Sequence, residues 1–310
     1  MTPLTESEES NWQNFNPDEV YVQRTRIAKI LRPLYEPLVS DHIGRYYAYP
    51  EATTNEQGCD AFTWLCPNFR PNNVGLDPDA RVDIEPIAAQ RVSSHDDWAN
   101  RVGKKTRNLV RKAERTLGWW LWESPEESDH DLDQLAGIIH KIYNETPTRQ
   151  GMRFPHYGKT EDSIRANIAT GVGEYVTVHE KAGPAVGFAH LIAHDKTCML
   201  EEFLSLQSAY SQAPNNLLLS AVVQRCEETG WKYVTYGRIG TGTHPSLDRF
   251  KKSNGFTQWN CVRGAIGFNA KGWLAVKLGL HLPVQDRIPR RLIPAARRAK
   301  ILADKVRCIR

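Results

Sequence analysis

The sequence predicts an α+β domain built on a central mixed sheet. Three observations carry that prediction. Residues 119–269 alternate short apolar runs with amphipathic stretches in the order β, α, α, β, β, β, α, β, α, β. The helical stretches bring their own start and stop residues. A chain of 310 residues, 40% hydrophobic and 25% charged, is also long enough to bury one large core or two ordinary ones.

Residues 1–17 are polar and acidic and are expected to be disordered. A helix is predicted over Glu19–Leu31, with Ile27, Ile30 and Leu31 inward, stopping at Pro33. Strands are predicted at 43–49 (IGRYYAY), 61–65 (AFTWL) and 82–87 (VDIEPI), between loops rich in Pro, Asn and Gly. From Ser94, "SSHDDWANRVGKKTRNLVRKAERTLG" opens on a Ser cap and an acidic first turn and runs helical to Gly118. A strand at 119–123 (WWLWE) leads into a capped helix at 128–144, with Leu132, Leu135, Ile138, Ile139 and Ile142 on one face, and then a helix at 160–170. Strands at 174–180, 185–194 and 196–206 follow, joined by turns at 181–184 and 195–196. A helix from Pro214 to Gly230, a buried strand at 232–237, a short helix holding "SLDRFKKSNGF" and a strand at 256–269 complete the order. The expected division is an N-terminal α/β half over 1–100, a main domain over 101–286 and a basic tail over 287–310.

No apolar run reaches transmembrane length, and "MTPLTESEES" lacks the basic then apolar pattern of a signal peptide, so a cytoplasmic protein is expected. The six cysteines form no C-x-x-C pair, which argues against both a zinc site and a secreted disulfide framework. Net charge is +4, yet residues 287–310 hold 9 basic residues and 1 acidic, leaving 31 against 35 in the rest. Arg297, Arg298, Ile301, Leu302 and Val306 can form a basic amphipathic helix suited to RNA or to the inner face of a membrane, or one that docks its Ile and Leu face on the body.

Several side chains suit acyl transfer to an amine, which needs a base, charge stabilisation and a proton for the leaving group. Glu201 and Glu202 interrupt an apolar strand. Period two places them on opposite faces, so at least one carboxylate is desolvated or paired, and Glu201 is the first candidate. Lys104, Arg107, Arg111 and Arg115 recur every three or four residues and form a cationic stripe, which can meet an anionic ligand or simply face water. The loop 144–159 presents Arg149, Arg153, His156, Tyr157 and Lys159 as acceptor contacts, or is held by its own Phe154 and Tyr157. Asn215 and Asn216 stand at a helix start whose free amides can meet a phosphate, or serve as ordinary helix-start residues. Arg238 ends a strand, where a binding residue belongs.

"KKTRNLVRKAER" (104–115), "APNNLLLSAVVQRCEETGWKYVTYGR" (213–238) and "LDRFKKSNGF" (247–256) are similar, in that order, to three landmarks of the FemAB-like branch of the GNAT (Gcn5-related) acyltransferases. These landmarks are a basic R-x-x-I-R-K-A-E helix, a P-N-x-L-L…A…G…Y-D-x-G stretch and an F-K-x-x-x-G-F close. The resemblance covers residues 94–269. It implies a GNAT fold with a central mixed sheet, preceded by a degenerate GNAT-like half. It implies transfer from acyl-CoA or aminoacyl-tRNA, as co-substrate and with no bound cofactor or metal, to an amine of an anionic or lipid-linked cell-envelope or polysaccharide precursor. Lys251 falls where many CoA-dependent GNAT enzymes place a tyrosine that protonates the departing thiolate, and the resemblance to the FemAB-like proteins, which have a lysine there, gives it a role in stabilising the intermediate or the leaving oxygen. Lys252 points away. Two departures stand out: Thr235 replaces the family aspartate, and "QSAYSQAPNNLL" (207–218) lacks the glycines of the usual CoA loop. The competing reading is a non-catalytic GNAT-like module that binds RNA or an anionic membrane surface.

Overall fold

A computed structural model describes residues 20–24, 28–33, 58–66, 81–149, 151–194, 196–240 and 245–282. The expected disorder at 1–17, the strand at 43–49 and the basic tail at 287–310 lie outside the described residues. The chain divides into two compact units, with boundaries after Glu85 and after Asn260.

The first unit contains β1 (Val20–Arg24), β2 (Lys29–Pro33), β3 (Ala61–Cys66), the start of β4 (Arg81–Arg91), the later part of β12 (Thr257–Gly267) and α7 (Ala270–Lys277). The strand order is β1-β2-β3-β12. The helix expected over Glu19–Leu31 is instead the antiparallel pair β1 and β2. Ala28 and Ile30 are buried while Lys29 is exposed, which is period two, and Val20-Tyr21-Val22 is β-branched and aromatic. Ile30, Ala61, Ala265 and Val276 form the small core of this unit. A buried ion pair joins Arg263 to Glu85.

In the second unit the order is β4-β11-β10-β9-β8-β5. It comprises α1 (His95–Arg101), α2 (Lys104–Thr116), β5 (Leu117–Trp122), α3 (Asp129–Tyr143), a two-residue hairpin of β6 (Thr148–Arg149) and β7 (Met152–Arg153), α4 (Glu161–Ile168), β8 (Glu174–Glu180), β9 (Ala185–His194), β10 (Thr197–Ser205), α5 (Pro214–Thr229), β11 (Tyr233–Arg238) and α6 (Pro245–Ser253). The order read from the sequence holds. Ser94, Ser128 and Thr160 each accept from the backbone amide three residues on, as the capping patterns require. The long helix expected from Ser94 is broken, because Val102 is extended and α2 restarts after Gly103. It also ends before Gly118, since Leu117 already pairs with Glu180 in the sheet.

Helices cover both faces of this sheet. Gly187 of β9 has Leu218 of α5 against it, and its neighbour Phe188 meets Tyr143 of α3, so α5 and α3 lie on opposite sides. The run Leu217 to Val223 in α5 is buried without a break, which marks it as the central helix. At about 1.5–3 kcal/mol for each fully buried aliphatic side chain, this helix and the strands beneath it dominate the stability of the unit.

Candidate active site

The sheet splits in its middle. β10 and β11 pair in parallel only from Thr197↔Tyr233 to Met199↔Thr235. Beyond that point β10 continues along β9 to Ser205, and β11 continues along β4 to Arg238. At the divergence β10 carries a bulge: Leu200 pairs with Leu191 and Glu202 with His190, leaving Glu201 as the inserted residue. Strict alternation is therefore interrupted at Glu201. After burial, the charges of both carboxylates raise the Tyr143 phenol pKa, Glu202 more than Glu201.

Glu202 faces α3. The Tyr143 hydroxyl, at the end of that helix, donates to Glu202 Oε1 at 2.6 Å and also reaches Oε2. His156 Nδ1 lies 3.5 Å from Oε1, and its ring stacks on Tyr143 at 4.5 Å. Burial pushes the His156 pKa down, against the pull of Glu202, with Lys159 and Arg149 adding to the fall, so the ring is biased towards its neutral form. Lys159 Nζ stands 5.2 Å over the Tyr143 ring. Burial and the Glu202 charge hold the Tyr143 phenol protonated, as a donor. On the other flank, His190 stacks on Tyr175 at 4.3 Å, contacts the Val172 carbonyl at 2.7 Å and is also pushed down by burial. Glu201 reaches solvent, yet protein crowds it enough that desolvation, then Glu202, raises its pKa.

The opposite face is aromatic. Phe203 meets Tyr236 at 5.2 Å and Phe250 of α6 at 6.0 Å, closing the sheet where β10 and β11 part. Lys251 lies beneath them and is 2% exposed. Its ammonium donates to the carbonyls of Tyr236 and Arg238, the latter at 2.8 Å, and stands 4.4 Å over the Tyr236 ring. Burial lowers its pKa to about 8, opposed by Asp248. This cation thus holds the free end of β11, whose carbonyls no longer have a neighbouring strand on the β10 side. Lys252 is exposed, as read from the sequence.

The other predicted residues divide. Arg149 lies near the site, but its guanidinium is used to hold the Ser205 and Ile142 carbonyls at 2.8 and 2.9 Å and to cover Phe154. Arg153 and Tyr157 are exposed on the same loop. Arg238 contributes its carbonyl to Lys251. Arg107 leaves the cationic stripe, because it turns back onto the Ala99 and Val102 carbonyls at the end of α1. Arg111 remains exposed. Asn216 donates to Asn254 Oδ1 at 3.2 Å, tying the start of α5 to the end of α6, which is a structural use. Asn215 Oδ1 is buried without a hydrogen-bond partner among the described residues. Tyr143 was not singled out from the sequence. Its only sequence signal is an aromatic closing an apolar helix face just before the Arg-rich loop.

Among the described residues no cluster of three His, Cys, Asp or Glu could hold a metal, and no helix is long and apolar enough to cross a membrane.

No protein-family profile matches the chain, and no curated protein sequence matches it. Solved structures do. One is the C-terminal (DUF2156) domain of a protein assigned as a lysylphosphatidylglycerol synthetase from Agrobacterium fabrum, at TM-score 0.54 and 15% identity over 85% of this chain and 84% of that one. Another is L-PGS from Bacillus licheniformis, at 0.53 and 13% over 88% and 85%. FemX matches at 0.54 and 12% over 84% and 86%. Identities this low speak for the fold alone, but the coverage exceeds what residues 86–260 can supply. The split sheet, its bulge and these likenesses together show that the chain has the fold of FemX and of the lysylphosphatidylglycerol synthetase domains.

Proposed function

We propose that the protein transfers an acyl or aminoacyl group from acyl-CoA or aminoacyl-tRNA to an amine of a cell-envelope or polysaccharide precursor. The observation that carries this reading is the Glu202 carboxylate, fixed by the Tyr143 hydroxyl and flanked by His156 at the bulge where β10 leaves β11. An incoming ammonium meets the Glu202 carboxylate there and gives up its proton to it, and the free amine attacks the acyl carbonyl. Glu201, beside it, adds negative charge that draws the cationic acceptor in. Lys251 acts from the other face of the strand pair as a fixed positive charge that favours the tetrahedral oxyanion and the departing thiolate or 3′-oxygen. Arg111 and Tyr157 are exposed and can meet the anionic parts of the substrates. The fold shared with a lysylphosphatidylglycerol synthetase domain, whose name couples a lysyl group to a membrane lipid, supports this substrate class.

The test is to incubate the protein with acetyl-CoA or charged tRNA and a pool of amines, following thiol release and tRNA deacylation in parallel. Amine-dependent release from one donor is expected, and Glu202→Gln should lower it about 10²- to 10⁴-fold with the fold intact. No amine-dependent release from either donor would overturn the reading in favour of a binding module.

A further inference from the structure

The outer strand β5 takes no part in that site. It pairs with β8 along its whole length, from Leu117↔Glu180 to Trp122↔Tyr175, and no other described strand pairs with it. A groove of about 680 Å³ is lined by all eight consecutive residues from Gly118 to Pro125, together with Asp131 and Gln134 of α3 and with His179, Glu180 and Lys181 at the end of β8. Open edges are ordinarily guarded by a lysine, a proline or a bulge. Leu-Gly-Trp-Trp-Leu-Trp has none of these, and Trp120 is 63% exposed.

We propose that β5 pairs antiparallel with β5 of a second copy of this chain, joining two sheets across a two-fold axis. Charge favours a second copy over an unrelated strand. Lys181 lies at the starting end of β5, where its amide donates to the Thr116 carbonyl at 3.0 Å, and Glu123 follows the finishing end. Both residues line the groove. Antiparallel two-fold pairing sets the start of each strand against the finish of the other, so each Lys181 approaches the partner copy's Glu123 region, twice over. The six-residue strand, about 20 Å long, is matched end to end by itself, and the indoles of Trp119 and Trp120 cover one another's exposed faces. Unpaired main-chain groups along the edge gain partners at the same time.

Sedimentation velocity on the full chain tests this. A dimer is expected at micromolar concentration. Trp120→Lys, at an exposed position, should give a monomer with unchanged circular dichroism and melting temperature. Lys181→Glu and Glu123→Lys should each weaken dimerisation at least about tenfold. Glu123 also bonds Arg225 at 2.7 Å, so the deciding readout is the double variant, in which dimerisation returns. A wild-type chain that stays monomeric at about 100 µM, as it would if the edge received a peptide from another protein, overturns the proposal. So does a dimer indifferent to Trp120→Lys.

Discussion

Lys251 couples the site to pH. Its ammonium is buried, and its pKa falls from the ordinary lysine value of 10.5 to about 8. Between those values the unfolded chain binds a proton that the folded chain has shed, so this residue makes stability rise as pH rises from about 8 towards 10.5. Below pH 8 both states are protonated and the folded state bears the full cost of the buried charge. In Lys251→Met that dependence is absent. Denaturant titrations of both proteins at pH 7 and pH 10 should therefore show the difference between them moving in the wild type's favour by on the order of 2–3 kcal/mol; a constant difference would refute the burial argument. Transfer that relies on the positive charge should fall over the same rise through pH 8. The short helix that carries Lys251 was legible from "SLDRFKKSNGF". The two carbonyl acceptors of Lys251 were not, because Tyr236 and Arg238 are 15 and 13 residues distant and nothing local pairs them.

Among the elements, the turn before β8 shows how backbone shape supports the site. Gly173 has φ +85°, and a Cβ there would be driven into the Leu191 carbonyl and against His190 Nε2. That close approach sets the Val172 carbonyl on His190, opposite Glu202. Gly173→Ala combines an unfavourable φ with overpacking and should cost about 1–3 kcal/mol, read from the thermal midpoint, with a loss of transfer where His190 shifts. Capped helices and the three strands from 174 to 206 were legible because each announces itself within a few residues: Ser94 and Ser128 as caps, alternation in "EYVTVHE". The bulge at Glu201 was not, since a one-residue insertion looks like continuing alternation until the partner strand fixes the register. The β1 and β2 pair was misread for a related reason. Ile27, Ile30 and Leu31 fit a helical stripe by spacing alone, and only the contacts of Ile30 with distant Ala265 and Val276 select a strand.

For the whole molecule, charge is divided unevenly. Residues 1–286 carry 31 basic and 35 acidic side chains, while 287–310 carry 9 and 1. A chain acting on a lipid-linked acceptor gains from this arrangement, because the acidic body is repelled from an anionic surface on which the basic segment is held. Each basic residue near such a surface contributes about 1 kcal/mol, within a Debye length of about 8 Å at physiological salt. The full chain should therefore cosediment with vesicles containing anionic phospholipid at low salt, and be released at about 0.5 M salt. Vesicles of neutral phospholipid should retain none of it. Replacing Arg290, Arg291, Arg297 and Arg298 with Gln removes four of the nine cations and should abolish most of the cosedimentation, while transfer to a water-soluble amine is unchanged. Equal sedimentation of the substituted chain would place the membrane contact on the body, where Lys104, Arg111 and Arg115 form the remaining exposed cationic face of α2.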